Sequence, residues 1–284
     1  MSEPSKAVLI TGCSSGIGEA TARRLAKSGW TVYATARRPE AIEHLASEGC
    51  RTLELDVTSE DSMRTAVEEV ERTEGAVGVL VNNAGYSQGG SIEQVPMEAI
   101  RRQFETNVFG LVALTQLVLG GMRDQRFGKV VNVGSMGGRL TFPGAGFYHA
   151  TKHALEAISD AARFELRGFG VDVILVEPGL IKTEYAKAAV ASYEATPEEE
   201  DDGPYSKLNR AVQVATVGAY EGALARLGGG PEVVAKAIEK AISRRRAPSR
   251  VLVTPSARLA LLQRRLLSDR AWDSVLRTQF PQPK

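Results

Sequence analysis

The stretch Thr11-Gly12-Cys13-Ser14-Ser15-Gly16-Ile17-Gly18 decides how this chain folds. It follows at once on the apolar run Ala7-Val8-Leu9-Ile10 and opens a helical pattern that stops at Lys27-Ser28-Gly29. The glycine spacing is G-x3-G-x-G rather than the more usual G-x-G-x-x-G, but the physics is the same. Glycines let the backbone turn sharply and approach a pyrophosphate, and a helix N-terminus offers unpaired N–H groups and the positive end of its dipole. Ser14 and Ser15 are placed to cap that helix or to touch phosphate oxygens. The plainer alternative is a tight strand-to-helix turn with no ligand. Position after a strand and before a helix favours the dinucleotide.

Outward from this turn, short β-branched runs alternate with longer helical patterns. The predicted strands are 7–10, 31–34, 52–55, 77–81, 130–133, 171–176 and 251–253. Most are apolar on both faces, which marks a parallel sheet covered on both sides. The expected architecture is therefore α/β: a single-domain Rossmann fold, a doubly wound parallel sheet of about seven strands with helices on both faces. With 284 residues and no low-complexity linker or repeat, residues 1–284 read as one domain. The formal charge of +1 provides no global field for nucleic acid. Two cysteines without a C-x-x-C pair exclude a disulfide scaffold and a cysteine-based zinc site. No apolar run reaches the length of a membrane span, and no secretory signal is visible, so a cytoplasmic protein is expected.

The second predicted strand ends Ala34-Thr35-Ala36-Arg37-Arg38. An NAD-type site usually has an acidic residue near here, which accepts from the ribose 2′-OH. Ala36 takes that place, and Arg37 with Arg38 suits a 2′-phosphate, so NADP(H) is preferred over NAD(H). The alternative is two solvated charges at a helix start. Asp56-Val57 ends the third strand and suggests an adenine contact, or else a helix N-cap. Asn82-Asn83-Ala84-Gly85 ends the fourth, where small and amide residues suit a ribose and the backbone groups of the switch point.

Tyr148-His149-Ala150-Thr151-Lys152 opens a helix, and residues four apart share a face. An ammonium beside a phenol favours the phenolate, which suits Tyr148 to exchange a proton with an alcohol or carbonyl. Ser135, thirteen residues earlier, is placed to hold the reacting oxygen. Asn107 sits among Phe104, Val108, Phe109 and Leu111, either to hold a water that relays protons to Lys152 or to bridge a helix bulge.

With these motifs in order, the chain resembles the short-chain dehydrogenase/reductase family over residues 7 to about 280. Residues 11–18, Asp56, Asn82-Asn83-Ala84-Gly85, Asn107, Ser135, Tyr148, Lys152 and Pro178-Gly179-Leu180-Ile181-Lys182-Thr183 carry the likeness. A finer resemblance is to 17β-hydroxysteroid and retinol dehydrogenases. It rests on residues 13–18, 32–37, 82–116 and 171–179. The resemblance implies catalysis by Asn107, Ser135, Tyr148 and Lys152. It implies cofactor contacts at Gly12, Ser14, Ser15, Gly16, Ile17, Gly18, Arg37, Arg38, Asp56, Val57, Asn83, Ala84, Gly85, Tyr148, Lys152, Pro178, Gly179, Ile181 and Thr183. Ile181 and Thr183 would bond the nicotinamide carboxamide. The implied activity interconverts an alcohol and a ketone or aldehyde on a lipophilic substrate. The implied assembly is a homo-oligomer built through helices near 99–124 and 148–167. A non-catalytic dinucleotide-binding regulator is the alternative, and it would be favoured had Tyr148 or Lys152 been replaced.

Two stretches depart from the alternation. Residues 183–230 lack strong strand or helix signals, hold the acidic run Glu198-Glu199-Glu200-Asp201-Asp202, and read as a substrate lid. Residues 244–284 form a basic extension, with ten Lys and Arg against Asp269 and Asp273, a surplus of eight. Leu259, Leu262, Leu266, Trp272, Val275, Leu276 and Phe280 lie there at helical spacing. That pattern fits a membrane-surface helix, but a tail folded over the sheet edge and lid is the commoner outcome. His44, His149 and His153 are read as structural or exposed, with no metal site. Cys13 and Trp30 are read as packing residues.

Overall fold

The computed structural model describes residues 3–183 and 203–283. Seven strands form one sheet: β1 Ala7–Ile10, β2 Thr31–Ala36, β3 Arg51–Glu54, β4 Val79–Asn82, β5 Gly128–Val133, β6 Val171–Glu177 and β7 Arg250–Leu252. Their spatial order is β3-β2-β1-β4-β5-β6-β7, and every neighbouring pair is parallel. The order reverses between β1 and β4. In a doubly wound sheet that reversal opens a crevice at the carboxyl ends of the strands. All seven expected strands are present, with ends shifted by one or two residues.

The doubly apolar strands are explained by two cores. Val8, Ile10, Val32, Val79, Val81 and Val131 pack with Leu25 of α1 (Gly16–Lys27) and with Val234 and Ile238 of a late helix, Pro231–Ile242. Leu9, Tyr33, Leu80 and Val130 face the other way. They pack with Met63 and Val67 of α2 (Glu60–Glu74) and with Leu114 and Val118 of a fourth helix. Alternate residues of one strand thus feed opposite cores, as the period-2 pleat requires.

The fourth helix, α4 (Gly110–Asp124), continues α3 (Met97–Phe104) through a π-helical turn at Glu105–Phe109. Together Met97–Asp124 is the one helix among the described residues whose length and composition would suit a membrane span. Leu114, Val118 and Met122 nevertheless pack into the sheet core. α5 (Gly146–Leu166) carries the Tyr148 motif. It ends through a 3-10 turn at Arg167–Phe169 and then Gly170, whose φ of 81° suits the left-handed cap.

Part of residues 183–230, where the sequence carries no strong helix signal, is helical. Ser206–Glu221 is a sixteen-residue helix, α6, followed by a 3-10 turn at Ala223–Leu227. Val212 is its one buried residue, because its apolar side chains border a cavity and not the sheet core. A helix of that kind carries no clean apolar stripe for a sequence to show. The acidic run at 198–202, with Tyr185, Ala188, Val190 and Tyr193, lies outside the described residues. The chain continues through α7 (Pro231–Ile242), α8 (Pro255–Leu266) and α9 (Asp269–Arg277).

Candidate active site

One cavity of about 2300 Å³ runs along the carboxyl ends of the strands. That is more than twice the roughly 300–1,000 Å³ of a typical single-ligand cleft, so it has room for a dinucleotide and a second molecule. Gly12, Ser14, Ser15, Gly16 and Ile17 line one end; Ser135, Tyr148 and Lys152 line the middle; α6, α8 and α9 close the other end.

The glycine turn is built for close approach. Gly12 has a φ of 71°, and an added Cβ would lie 3.0 Å from the Ala84 Cα. A Cβ on Gly18 would collide with the Gly12 carbonyl. Ser15 holds the N-cap position of α1 but makes no side-chain cap bond, so the first N–H groups of the helix are open to an anion. Asn83 Nδ2 donates to the Thr11 carbonyl at 2.9 Å and to the Gly12 carbonyl at 3.1 Å. Thr11 Oγ1 accepts from Asn83 N at 3.0 Å and Ala84 N at 2.9 Å. The Asn83 side chain therefore braces the turn against the end of β4. Asn82 is buried and donates to Thr115 and Asn132, a purely structural role.

Ala36, Arg37, Asp56, Val57, Ala84 and Gly85 all border the same cavity. Arg37 is exposed at its edge, while Arg38 is exposed but lies outside the lining. Asp56 Oδ1 accepts from Thr58 N at 2.9 Å and Thr58 Oγ1 at 2.7 Å, so it shapes its own loop, while Ser59 is the residue that caps α2. These residues fit a nicotinamide dinucleotide: a backbone cradle that a Cβ would fill, an open helix N-terminus, and a guanidinium with no carboxylate in the usual 2′-OH place.

Pro178, Gly179, Ile181 and Thr183 follow β6 and border the cavity too. Gly179 N donates to Thr254 Oγ1 at 3.2 Å and Leu180 N to Ser256 Oγ at 3.1 Å. Lys182 N donates to the Gly229 carbonyl at 2.8 Å. A Cβ on Gly16 would lie 3.3 Å from Thr183 Cγ2, so the first turn and this segment meet. Thr254 and Ser256 carry no sequence signal of this role, because their partners lie about 75 residues away.

Tyr148 and Lys152 stand one turn apart on α5, with Lys152 Nζ 5.8 Å from the Tyr148 ring centre. Lys152 Nζ donates to the Val133 carbonyl at 2.8 Å, which ties it to the end of β5. Burial pushes its ammonium down to about 8. Ser135 Oγ accepts from Gly137 N at 3.0 Å, which leaves its own O–H as a donor. Asn107 sits in the π-helical turn. Its Oδ1 accepts from Tyr86 N at 3.0 Å, and its Nδ2 donates to the Tyr86 carbonyl at 2.8 Å and to Thr151 Oγ1 at 3.1 Å. The side chain is thus spent on joining the loop after β4 to α5, and no direct contact with Lys152 is made by it. Of the two sequence readings for Asn107, the bridge at a helix bulge describes its side chain.

Two further groups enter the wall. Tyr220 falls on the Val212, Thr216, Tyr220 face of α6, and burial, with the Tyr148 phenol second, pushes its own phenol up to about 12. His149 is buried, with Nδ1 2.9 Å from the Gly137 carbonyl. His153 Nδ1 is bonded to the His149 carbonyl, and among the described residues no metal-binding cluster forms. Cys13 is buried beneath the turn; burial pushes its thiol up to about 12, which suits packing and not reactivity.

A doubly wound parallel sheet with this turn, and a Tyr–Lys pair beside a serine at its crevice, defines a nicotinamide-dependent oxidoreductase acting on CH–OH groups. The family model described as short chain dehydrogenase matches residues 6–194. The 3-ketodihydrosphingosine reductase of Bacteroides thetaiotaomicron is 37% identical over 248 residues, 87% of each chain. The NADPH-dependent 3-dehydrocapnine reductase of Ornithobacterium rhinotracheale is 35% identical over 280 residues, 94% of each. A solved short-chain dehydrogenase from Streptomyces avermitilis is 33% identical with a TM-score of 0.79, covering 98% of this chain and 99% of that one. The chain belongs to the short-chain dehydrogenase/reductase family.

Proposed function

We propose that this chain is an NADP(H)-dependent oxidoreductase that interconverts an alcohol and a ketone or aldehyde on a lipophilic substrate, with Tyr148 as general acid and base. The observation that carries the reading is the single cavity that joins the glycine turn to Tyr148, Ser135 and Lys152. The lipophilic part is supported by the apolar far wall, where Trp272, Leu276 and Phe280 border the cavity beside Phe142 and Val212. Relatives named for reducing 3-ketodihydrosphingosine and 3-dehydrocapnine, and the likeness to 17β-hydroxysteroid and retinol dehydrogenases, support it too. NADP(H) is supported by Arg37 at the cavity edge and by the NADPH-dependent relative.

Gly12, Ser14, Ser15, Gly16, Ile17 and Gly18 would cradle the pyrophosphate at the N-terminus of α1. Arg37 would meet the 2′-phosphate, assisted from outside the lining by Arg38. Asp56 and Val57 would hold the adenine, Asn83, Ala84 and Gly85 the riboses, and Pro178, Gly179, Ile181 and Thr183 the carboxamide. When bound, the nicotinamide supplies or takes the hydride. Ser135 O–H holds the substrate oxygen. Tyr148 gives that oxygen a proton in reduction and removes it in oxidation. Lys152 favours the Tyr148 phenolate electrostatically and holds the nicotinamide ribose. Asn107, by pinning Thr151 to the loop after β4, keeps α5 in register with the cofactor site; its backbone at the π turn is the part left to order a water toward Lys152.

Residues 183–230 form the substrate lid and residues 244–284 the basic extension that folds against it. Exposed Phe109, in the π turn that leads into α4, and Phe164 on α5 support self-association through those helices. Two unpaired, buried cysteines suit the reducing cytoplasm. The test is NADPH consumption by the purified protein against steroid, retinoid and long-chain aliphatic carbonyls. Turnover of at least one lipophilic carbonyl, faster with NADPH than NADH, is expected. Reduction of small polar carbonyls alone would overturn the substrate class.

A further inference from the structure

His149 is the residue after Tyr148, and the mechanism above gives it no part. It is 6% exposed, and its ring lies 5.6 Å from that of Tyr148 and 5.9 Å from that of Phe142, centre to centre. Nδ1 lies 2.9 Å from the Gly137 carbonyl. A carbonyl oxygen only accepts, so Nδ1 carries the proton, and in a neutral ring Nε2 is then a bare lone pair. Burial outweighs the Gly137 hydrogen bond, which acts to raise the imidazole, and with His153 on the same helix pushes it down to about 4. The ring therefore stays neutral, with one fixed tautomer, across the working range of the enzyme.

Nε2 makes no hydrogen bond to a described residue, and it is not among the polar atoms sealed in the interior without a partner. It borders open space, and the open space beside His149 is the cavity that Tyr148 and Ser135 share. The surroundings are otherwise aromatic: Phe142 lies against His149 and, at 6.0 Å between ring centres, against Trp272 of α9. An acceptor set beside aromatic rings in the cavity wall is a specificity device. A substrate with a donor there pairs with it, and a substrate without one leaves it unpaired, at a cost.

We propose that His149 Nε2 is a second substrate contact, which accepts a hydrogen bond from a hydroxyl or amine carried beside the reacting carbonyl. The inference rests on the carbonyl-reductase reading above. It names the substrate class more closely: ketones on an apolar chain with a hydrogen-bond donor on the adjacent carbon. The Tyr148 and His149 rings stand 5.6 Å apart, centre to centre, so an oxygen held by Tyr148 and a donor held by His149 belong to neighbouring parts of one substrate. The same imidazole also acts as a positioning residue. By holding the Gly137 peptide it keeps Gly137 N–H on Ser135 Oγ, and that effect is felt by every substrate alike.

The two roles separate in a ratio. The measurement is kcat/KM for NADPH-dependent reduction of two long-chain ketones that differ only by a hydroxyl or amine on the carbon next to the carbonyl. Wild-type protein is expected to favour the donor-bearing ketone by about 3–10-fold, the worth of one neutral hydrogen bond. His149→Asn keeps an N–H near the place of Nδ1 and lacks Nε2. Whatever it loses on both ketones, its ratio is expected to fall to about one. His149→Gln returns an acceptor near the place of Nε2 and is expected to restore the preference. Calorimetric binding of the two corresponding alcohols with NADP+ present reads the same ratio without turnover. A preference that survives in His149→Asn, or an absent preference in the wild type, overturns the inference while leaving the reductase reading intact. Reduction of neither ketone overturns both.

Discussion

Tyr148 is expected to lose its function with a single oxygen. Tyr148→Phe keeps the ring against His149 and deletes only the group that moves the proton. Turnover should fall by about 10²–10⁴-fold, the usual worth of a positioned acid or base, with NADPH affinity retained in a fluorescence titration. More than a tenth of wild-type kcat on a true substrate would end the assignment. Lys152 is held differently, buried and tied to the Val133 carbonyl with its ammonium pushed down to about 8. Lys152→Ala should therefore raise the dissociation constant for NADPH and lower kcat together; a change in kcat alone would remove its ribose contact. Arg37 borders the cavity and Arg38 does not, so Arg37→Asp is expected to turn the cofactor preference toward NADH. A charged bond to phosphate is worth about 10–100-fold in the ratio of kcat/KM values. Equal use of both cofactors by the native protein refutes the reading at once. At this scale the sequence was legible wherever chemistry depends on spacing along one element, as in Tyr148 and Lys152 or the glycine turn. Thr254, Ser256 and Tyr220 were not, because their relation to the site exists only after distant segments pack.

At the scale of elements, α5, β6 and β7 are joined by a cluster of charges whose pH behaviour has a definite sign. Glu177 at the end of β6 is fully buried, and Glu156 lies on α5. Arg139 reaches Glu177 Oε1 at 3.5 Å; Arg250 reaches Glu156 Oε2 at 3.0 Å and Asp160 Oδ2 at 2.7 Å. Glu156 Oε1 and Glu177 Oε2 remain buried without a partner, and one proton shared between the two carboxyls satisfies both. Burial first, and Glu156 second, raise the Glu177 carboxyl to about 7. An acid raised on folding contributes stability that is complete below about 4.5 and is lost as pH rises through about 7. Glu177→Gln removes that titration. The fall in Tm between pH 5 and pH 8 is expected to be smaller in the variant than in the wild type, read by thermal melts. Equal falls would mean that Glu177 is ionised throughout. Strands were the legible elements, since two cores make most of them short and apolar on both faces. α6 was not, because its apolar residues face the cavity and Val212 alone is buried.

At the scale of the whole molecule, the chain divides its labour along its length. The first half supplies the cradle, and residues after 203 close the far end of the cavity, with Trp272 and Phe280 buried against it. The surplus of eight positive charges after residue 243 sits on that closing part, and the rest of the chain carries a deficit of seven. Val212 is the one residue that α6 buries. Tyr205, just before it, bonds Glu93 at 2.6 Å in solvent, and Asn209 bonds Gln94 at 2.9 Å half-buried. Elements with few buried apolar contacts open at low free-energy cost. A substrate seated between α6 and Tyr148 would add the apolar contacts that α6 lacks and shut water from the reacting carbon. Hydrogen exchange is therefore expected to be fast across residues 206–221 in the free protein and little changed by NADPH alone. Protection should appear when NADP+ and an alcohol product are bound together. If α6 is already fully protected in the free protein, it is a preformed wall, and substrate must enter by another side of the cavity.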